Sequence, residues 1–80
     1  MPTLATIGSI KIDIYSREHM PPHFHALYVE HEILVDLTTL AVIAGKFPAA
    51  QQRIVIRWAS DTSNRAMLLE TFYRLNPRLR

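Results

Sequence analysis

The chain has 80 residues, 49% of them hydrophobic and 20% charged, which fits one globular domain spanning residues 1–80 and excludes a disordered or fibrous chain. The formal net charge is only +2, and cysteine is absent, which excludes disulfides, thiolate metal sites and cysteine nucleophiles together. No apolar run approaches the roughly 20 residues of a membrane span, and the opening Met1 to Gly8 has no basic leader, so a cytoplasmic protein without membrane contact is expected.

The charge is unevenly spread. Residues 1–50 carry three basic side chains against five acidic ones, whereas residues 51–80 carry six arginines against Asp61 and Glu70. This asymmetry permits contact with a phosphate backbone or with an acidic protein partner, and Arg53 and Arg57 are the candidate contact residues. The plainer reading is that the arginines solvate the outer faces of helices.

Gly8 to Tyr15 alternates, with Ile10, Ile12 and Ile14 on one side and Lys11, Asp13 and Tyr15 on the other, which predicts a half-buried strand. Ser16 to Pro22 connects it to a second strand over about His23 to Glu30, because a Pro-Pro pair marks a loop that delivers an extended segment. Ile33, Val35 and Leu37 mark a third strand after a tight turn containing His31. Asp36 falls on its solvent side. Leu40 to Ala44 reads as a fourth strand ended by Gly45. Pro48 suits the first position of a helix over Ala49 to Ala59, with Ala50, Ile54, Val55 and Trp58 on its inward stripe. Asp61 or Ser63 caps a second helix over about Asn64 to Leu75, which turns Leu68, Leu69, Phe72 and Leu75 inward. The tail from Pro77 is expected to fray. The pattern predicts an α+β, two-layer domain: an antiparallel sheet of three to four strands followed by two C-terminal helices packed on one face.

His19-Met20-Pro21-Pro22-His23-Phe24-His25 places three of the four histidines within seven residues. On a strand His23 and His25 share one face and Phe24 takes the other. An antiparallel hairpin centred on His19 sets Ile12 opposite Ala26, Asp13 opposite His25 and Tyr15 opposite His23. The isoleucine face then continues into Phe24, Ala26 and Tyr28. Asp13, Tyr15, His23 and His25 gather on the other face, which a two-layer domain leaves open.

These residues resemble a small bacterial family, domain of unknown function 4160. The likeness runs over nearly the whole chain through Met1-Pro2-Thr3, Ile10-Lys11-Ile12-Asp13-Ile14-Tyr15, Glu18-His19, Pro21-Pro22-His23-Phe24-His25, Val35-Asp36-Leu37 and Trp58-Ala59. It departs at Met20, where a third proline is common, and around Asp61 to Asn64. The resemblance implies a small cytoplasmic α+β protein encoded beside another small protein, in an arrangement similar to toxin–antitoxin pairs.

Three functions are open at the level of sequence. His19, His23 and His25, with Asp13 or Glu18 beside them, suit a divalent transition metal such as zinc or nickel. His23 and His25 can instead act as acid and base in a ribonuclease toxin, with Tyr15 or Lys11 steadying a phosphate and the arginines holding nucleic acid. The third reading is a non-catalytic interaction module of a two-protein system, in which the histidine surface or a strand edge meets a neighbouring gene's product or a second copy. Trp58 is expected in the core, His31 in a turn, and Asp61 at a helix cap.

Overall fold

The computed structural model describes residues 3–80, so the family-like opening at Met1 and Pro2 lies outside the described residues. Five strands precede two helices: β1 (Ala5–Ile7), β2 (Ile10–Asp13), β3 (His23–Tyr28), β4 (His31–Asp36), β5 (Val42–Lys46), α1 (Ala49–Ser60) and α2 (Thr62–Leu75). The strands form one antiparallel sheet in sequence order. The expected hairpin register holds where the strands pair, with Ile12 opposite Ala26 and Asp13 opposite His25. The strand is shorter than Gly8 to Tyr15, however: β2 ends at Asp13, so the expected pairing of Tyr15 with His23 does not form. The register puts Ile12, Phe24, Ala26, Ile33 and Val35 on one face, fully buried together with Val55 and Ala59 of α1 and Leu68 and Phe72 of α2. Each large apolar side chain removed from water contributes about 1.5–3 kcal/mol, so this cluster decides which face of the sheet lies inside.

The sheet has five strands rather than three or four. β1 was illegible because three residues are too short to display alternation; its pairing of Ala5 with Ile12 and Ile7 with Ile10 defines it. The last strand also begins and ends later than expected. Leu40 adopts a positive φ of 62° in a turn where the Asp36 carboxylate accepts from the Thr38 and Thr39 amides at 2.7 and 3.3 Å. Asp36 is therefore a turn-forming residue, not merely a solvated one. A bulge after Leu34 takes up Ile43, and Gly45 lies within β5 opposite Ile33. His31 opens β4 opposite Tyr28, leaving Val29 and Glu30 as the turn.

Pro48 is the N-cap of α1, one residue before the expected position. Asp61 then serves two helices. It is the C-cap of α1, and its carboxylate accepts from the Asn64 amide at 3.1 Å to cap α2, which starts at Thr62 rather than Asn64. The tail is not frayed: Pro77–Leu79 forms a 3₁₀ turn after Asn76. The inward stripe of α1 also differs, since Val55 and Ala59 are buried while Ala50 and Ile54 are exposed and Trp58 is half-buried.

Gly45 is required at its position by both dihedral and space. Its φ is +83°, and a Cβ there would collide with the Glu32 carbonyl. Gly8 has a φ of +58° with open space around it. Gly45→Ala is expected to cost more than about 2 kcal/mol and Gly8→Ala about 1 kcal/mol, measured by urea denaturation. Equal midpoints for the two variants contradict this account.

Candidate metal centre

The site is built by the loop between β2 and β3, and that loop is held by the far end of the chain. Asn76, fully buried at the C-terminus of α2, accepts the Glu18 amide on Oδ1 at 2.8 Å and donates from Nδ2 to the Tyr15 carbonyl at 3.0 Å and the Phe72 carbonyl at 2.9 Å. Arg78 donates to the Glu18 carbonyl at 2.6 Å. The Pro22 carbonyl accepts the Leu37 amide at 2.8 Å. Glu18 is thereby fixed through both of its backbone polar groups.

Held this way, the loop lies against His23 and His25, which retain only 5% and 9% exposure. The sheet face opposite the core is thus not open at the histidines, as the strand pattern alone implied; the loop covers it. His23 also reaches the helical layer, its ring centroid 5.7 Å from that of Phe72. The parity argument itself holds: the His23 and His25 rings lie 5.4 Å apart, and Tyr15 packs 4.4 Å from His25.

The Glu18 carboxylate spans both rings, with Oε2 at 3.1 Å from His23 Nε2 and Oε1 at 3.1 Å from His25 Nε2. The other nitrogens are also occupied. His23 Nδ1 donates to the Pro21 carbonyl at 2.9 Å, and His25 Nδ1 lies 3.0 Å from Glu32 Oε2. All four ring nitrogens therefore face oxygens, and because a neutral imidazole carries one N–H, the four contacts together need two protons more than two neutral rings supply, or a cation in their place. A dication supplies the same charge as those two protons. Alternatively, with the Nδ1–H groups donating to the Pro21 carbonyl and the Glu32 carboxylate and so orienting the rings, the two Nε2 lone pairs and the Glu18 carboxylate would be free to hold an ion. One donor atom from each of Glu18, His23 and His25 lies within 4.8 Å of the others.

Two further groups shape the field. Asp13 is opposite His25 on β2, and its Oδ1 is buried without a hydrogen-bond partner. An orphaned carboxylate oxygen is costly unless a cation lies near it. Burial raises the Tyr15 pKa above its usual value, and the charges of Asp13, Glu32 and Glu18 raise it further. The phenol consequently stays neutral beside a negative cluster.

Of the residues singled out in the sequence, Asp13, Tyr15, Glu18, His23 and His25 come together. His19 is exposed in the loop and stands outside the three-residue grouping. His31 is half-buried at the other end of β4, 6.5 Å from the Phe47 ring. Lys11 is exposed opposite Leu27, while Arg53 and Arg57 line a cleft on α1. Glu32 was overlooked although the same parity places it: it pairs with Leu27, on the histidine face and two residues from the position opposite His25. Asn76 had no local signal for this role, since its partners on the site's side, Glu18 and Tyr15, lie 58 and 61 residues away.

The family described as domain of unknown function (DUF4160) matches the chain over residues 9–72, a span that contains every side chain of the grouping. No curated protein and no solved structure matches it.

Replacing Asn76 with alanine leaves the Tyr15 carbonyl and the Glu18 amide without their partner. The expected loss is about 2–3 kcal/mol by chemical denaturation, and a loss below about 0.5 kcal/mol contradicts the proposed clamp. Tyr15 yields a second prediction. Its folded pKa is raised, so its stabilising contribution is complete below the ordinary phenol range near pH 10 and is lost as pH rises through its own ionisation. Ultraviolet titration is expected to show a late-ionising tyrosine component, and Tyr15→Phe removes it. Removal of a different component counts against the assigned environment.

Proposed function

The chain belongs to the DUF4160 family, and for this member we propose a divalent transition-metal site in which Glu18, His23 and His25 stitch the Ser16–Pro22 loop to β3. The observation that carries this reading is the convergence of both Nε2 atoms on one carboxylate, with each Nδ1 held from behind. Imidazole and carboxylate donors suit zinc, nickel or copper rather than magnesium or calcium. Asp13 is available as a further ligand or as a compensating charge. Both imidazoles are nearly excluded from water, which favours an ion that shapes the protein over one that processes a substrate. The acid–base ribonuclease reading is less well supported, because both imidazoles are buried and engaged at both nitrogens.

A small domain buries a modest core, so an ion joining a loop to a strand adds stability where it is scarce. The resulting module fits an interaction role in a two-protein system of the cytoplasm. Support for that part comes from the uncovered edge strand β5, with Ile43 46% exposed, and from the family resemblance. Among the described residues no helix is long and apolar enough to cross a membrane.

Calorimetric titration with zinc at neutral pH is expected to give one site per chain. His23→Ala and His25→Ala each lower affinity at least about 100-fold, Glu18→Gln about 10-fold, and His19→Ala leaves it unchanged. At zinc concentrations about 100 times Kd the folded state gains about 2.7 kcal/mol, a Tm rise of about 10–20 °C for a domain of this size. Absence of heat and of any Tm change with zinc, nickel and copper removes the proposal.

A further inference from the structure

We propose that the cleft between β1 and the outer side of α1 docks an acidic, apolar-faced segment of a partner protein. The cleft is lined by Ile7 of β1 and by Ala50, Arg53, Ile54, Arg57 and Trp58 of α1, with a volume of about 440 Å³. Those five α1 positions follow the spacing of a single helical face, turned away from Val55 and Ala59, with Trp58 at its margin packing against the core. Val55 and Ala59 point into the core and are fully buried, whereas Ile54 remains 45% exposed. α1 thus carries a second stripe that this chain covers only in part: Trp58 is half-buried against the core, while Ala50 and Ile54 stay exposed.

The charges around the stripe indicate what covers it. Arg53 and Arg57 are exposed and one turn apart, and among the described residues no arginine is in an ion pair with a carboxylate. A segment with large apolar side chains flanked by Asp or Glu satisfies both features: its apolar residues cover Ile54 and Trp58, and its carboxylates meet the two guanidinium groups. Nucleic acid fits less well, because two cations over an apolar floor neutralise few phosphates and the cleft offers no stack of aromatic rings. A second copy also fits less well. Among the described residues, the most exposed large apolar side chain is Val29, 83% exposed beside Glu30, and that two-residue turn falls far short of the roughly 1,000 Å² of a stable interface. The proposal is independent of the metal site, since none of the cleft residues belongs to it.

The test uses the full-length protein and a fluorescein-labelled amphipathic peptide with leucines at helical spacing flanked by glutamates. A counterpart carries lysine in place of each glutamate. Anisotropy is expected to report binding of the glutamate peptide alone, weakening with added salt, with a shift in the emission of Trp58, the chain's single tryptophan. Arg53→Glu and Arg57→Glu each lower affinity about 10-fold or more, and Ile54→Glu, at an exposed position, abolishes binding while circular dichroism stays native. Equal binding of both peptides, or no binding of either at millimolar concentration, overturns the proposal. It is also overturned if a single-stranded RNA binds with the same Arg53 and Arg57 dependence while the peptide does not, or if sedimentation finds an oligomer that Ile54→Glu dissolves.

Discussion

One carboxylate placed between two buried imidazoles is the constraint on which the rest of the structure depends. Glu18 reaches His23 and His25 with separate oxygens, and its backbone is gripped by Asn76 and Arg78 from the other end of the chain. A solvent-exposed ion pair is worth little because water competes for both partners. Here the rings are nearly excluded from water, so an unmet nitrogen or an uncompensated charge carries a real penalty. The C-terminal turn, the loop and β3 therefore form a single polar unit laid across the sheet face that the helices do not cover.

That unit sits opposite a conventional apolar layer, and the two depend on each other. The even-numbered residues of β2 and β3 feed the core with Phe72 and Leu68, which sets the odd-numbered ones toward the loop. Phe72 belongs to both sides: it is fully buried, it touches the His23 ring, and its carbonyl accepts from Asn76. Shifting the hairpin register by one residue would exchange imidazoles for isoleucines and empty the core and the site together.

Much of this was legible in the residues. Alternation around Ile12 and the Pro-Pro punctuation set the hairpin register, and parity then united Asp13, Tyr15, His23 and His25. Periodicity says which side of a strand a residue takes, but not whether a loop lies over it, so the burial of the histidines was hidden. The role of Asn76 was hidden for a related reason, being a contact between segments about 60 residues apart that no local pattern encodes. β1 was too short to show a period. α1 misled because it has two apolar stripes, and Ile54 and Trp58 compete with Val55 and Ala59 for the inward assignment. That ambiguity is itself informative, since a helix apolar on its outer side has surface left for another molecule.

The central claim is that His23 and His25 present their Nε2 atoms to a shared cation while their Nδ1–H groups go on donating to the Pro21 carbonyl and the Glu32 carboxylate. Nitrogen-15 correlation spectra of the imidazole rings, recorded as zinc is added, read this directly. The account predicts that Nε2 of His23 and His25 alone takes on the shift of a metal-bound nitrogen, that both Nδ1 sites remain protonated, and that His19 and His31 do not respond. Zinc-dependent shifts at His19, or none at His23 and His25, would contradict it.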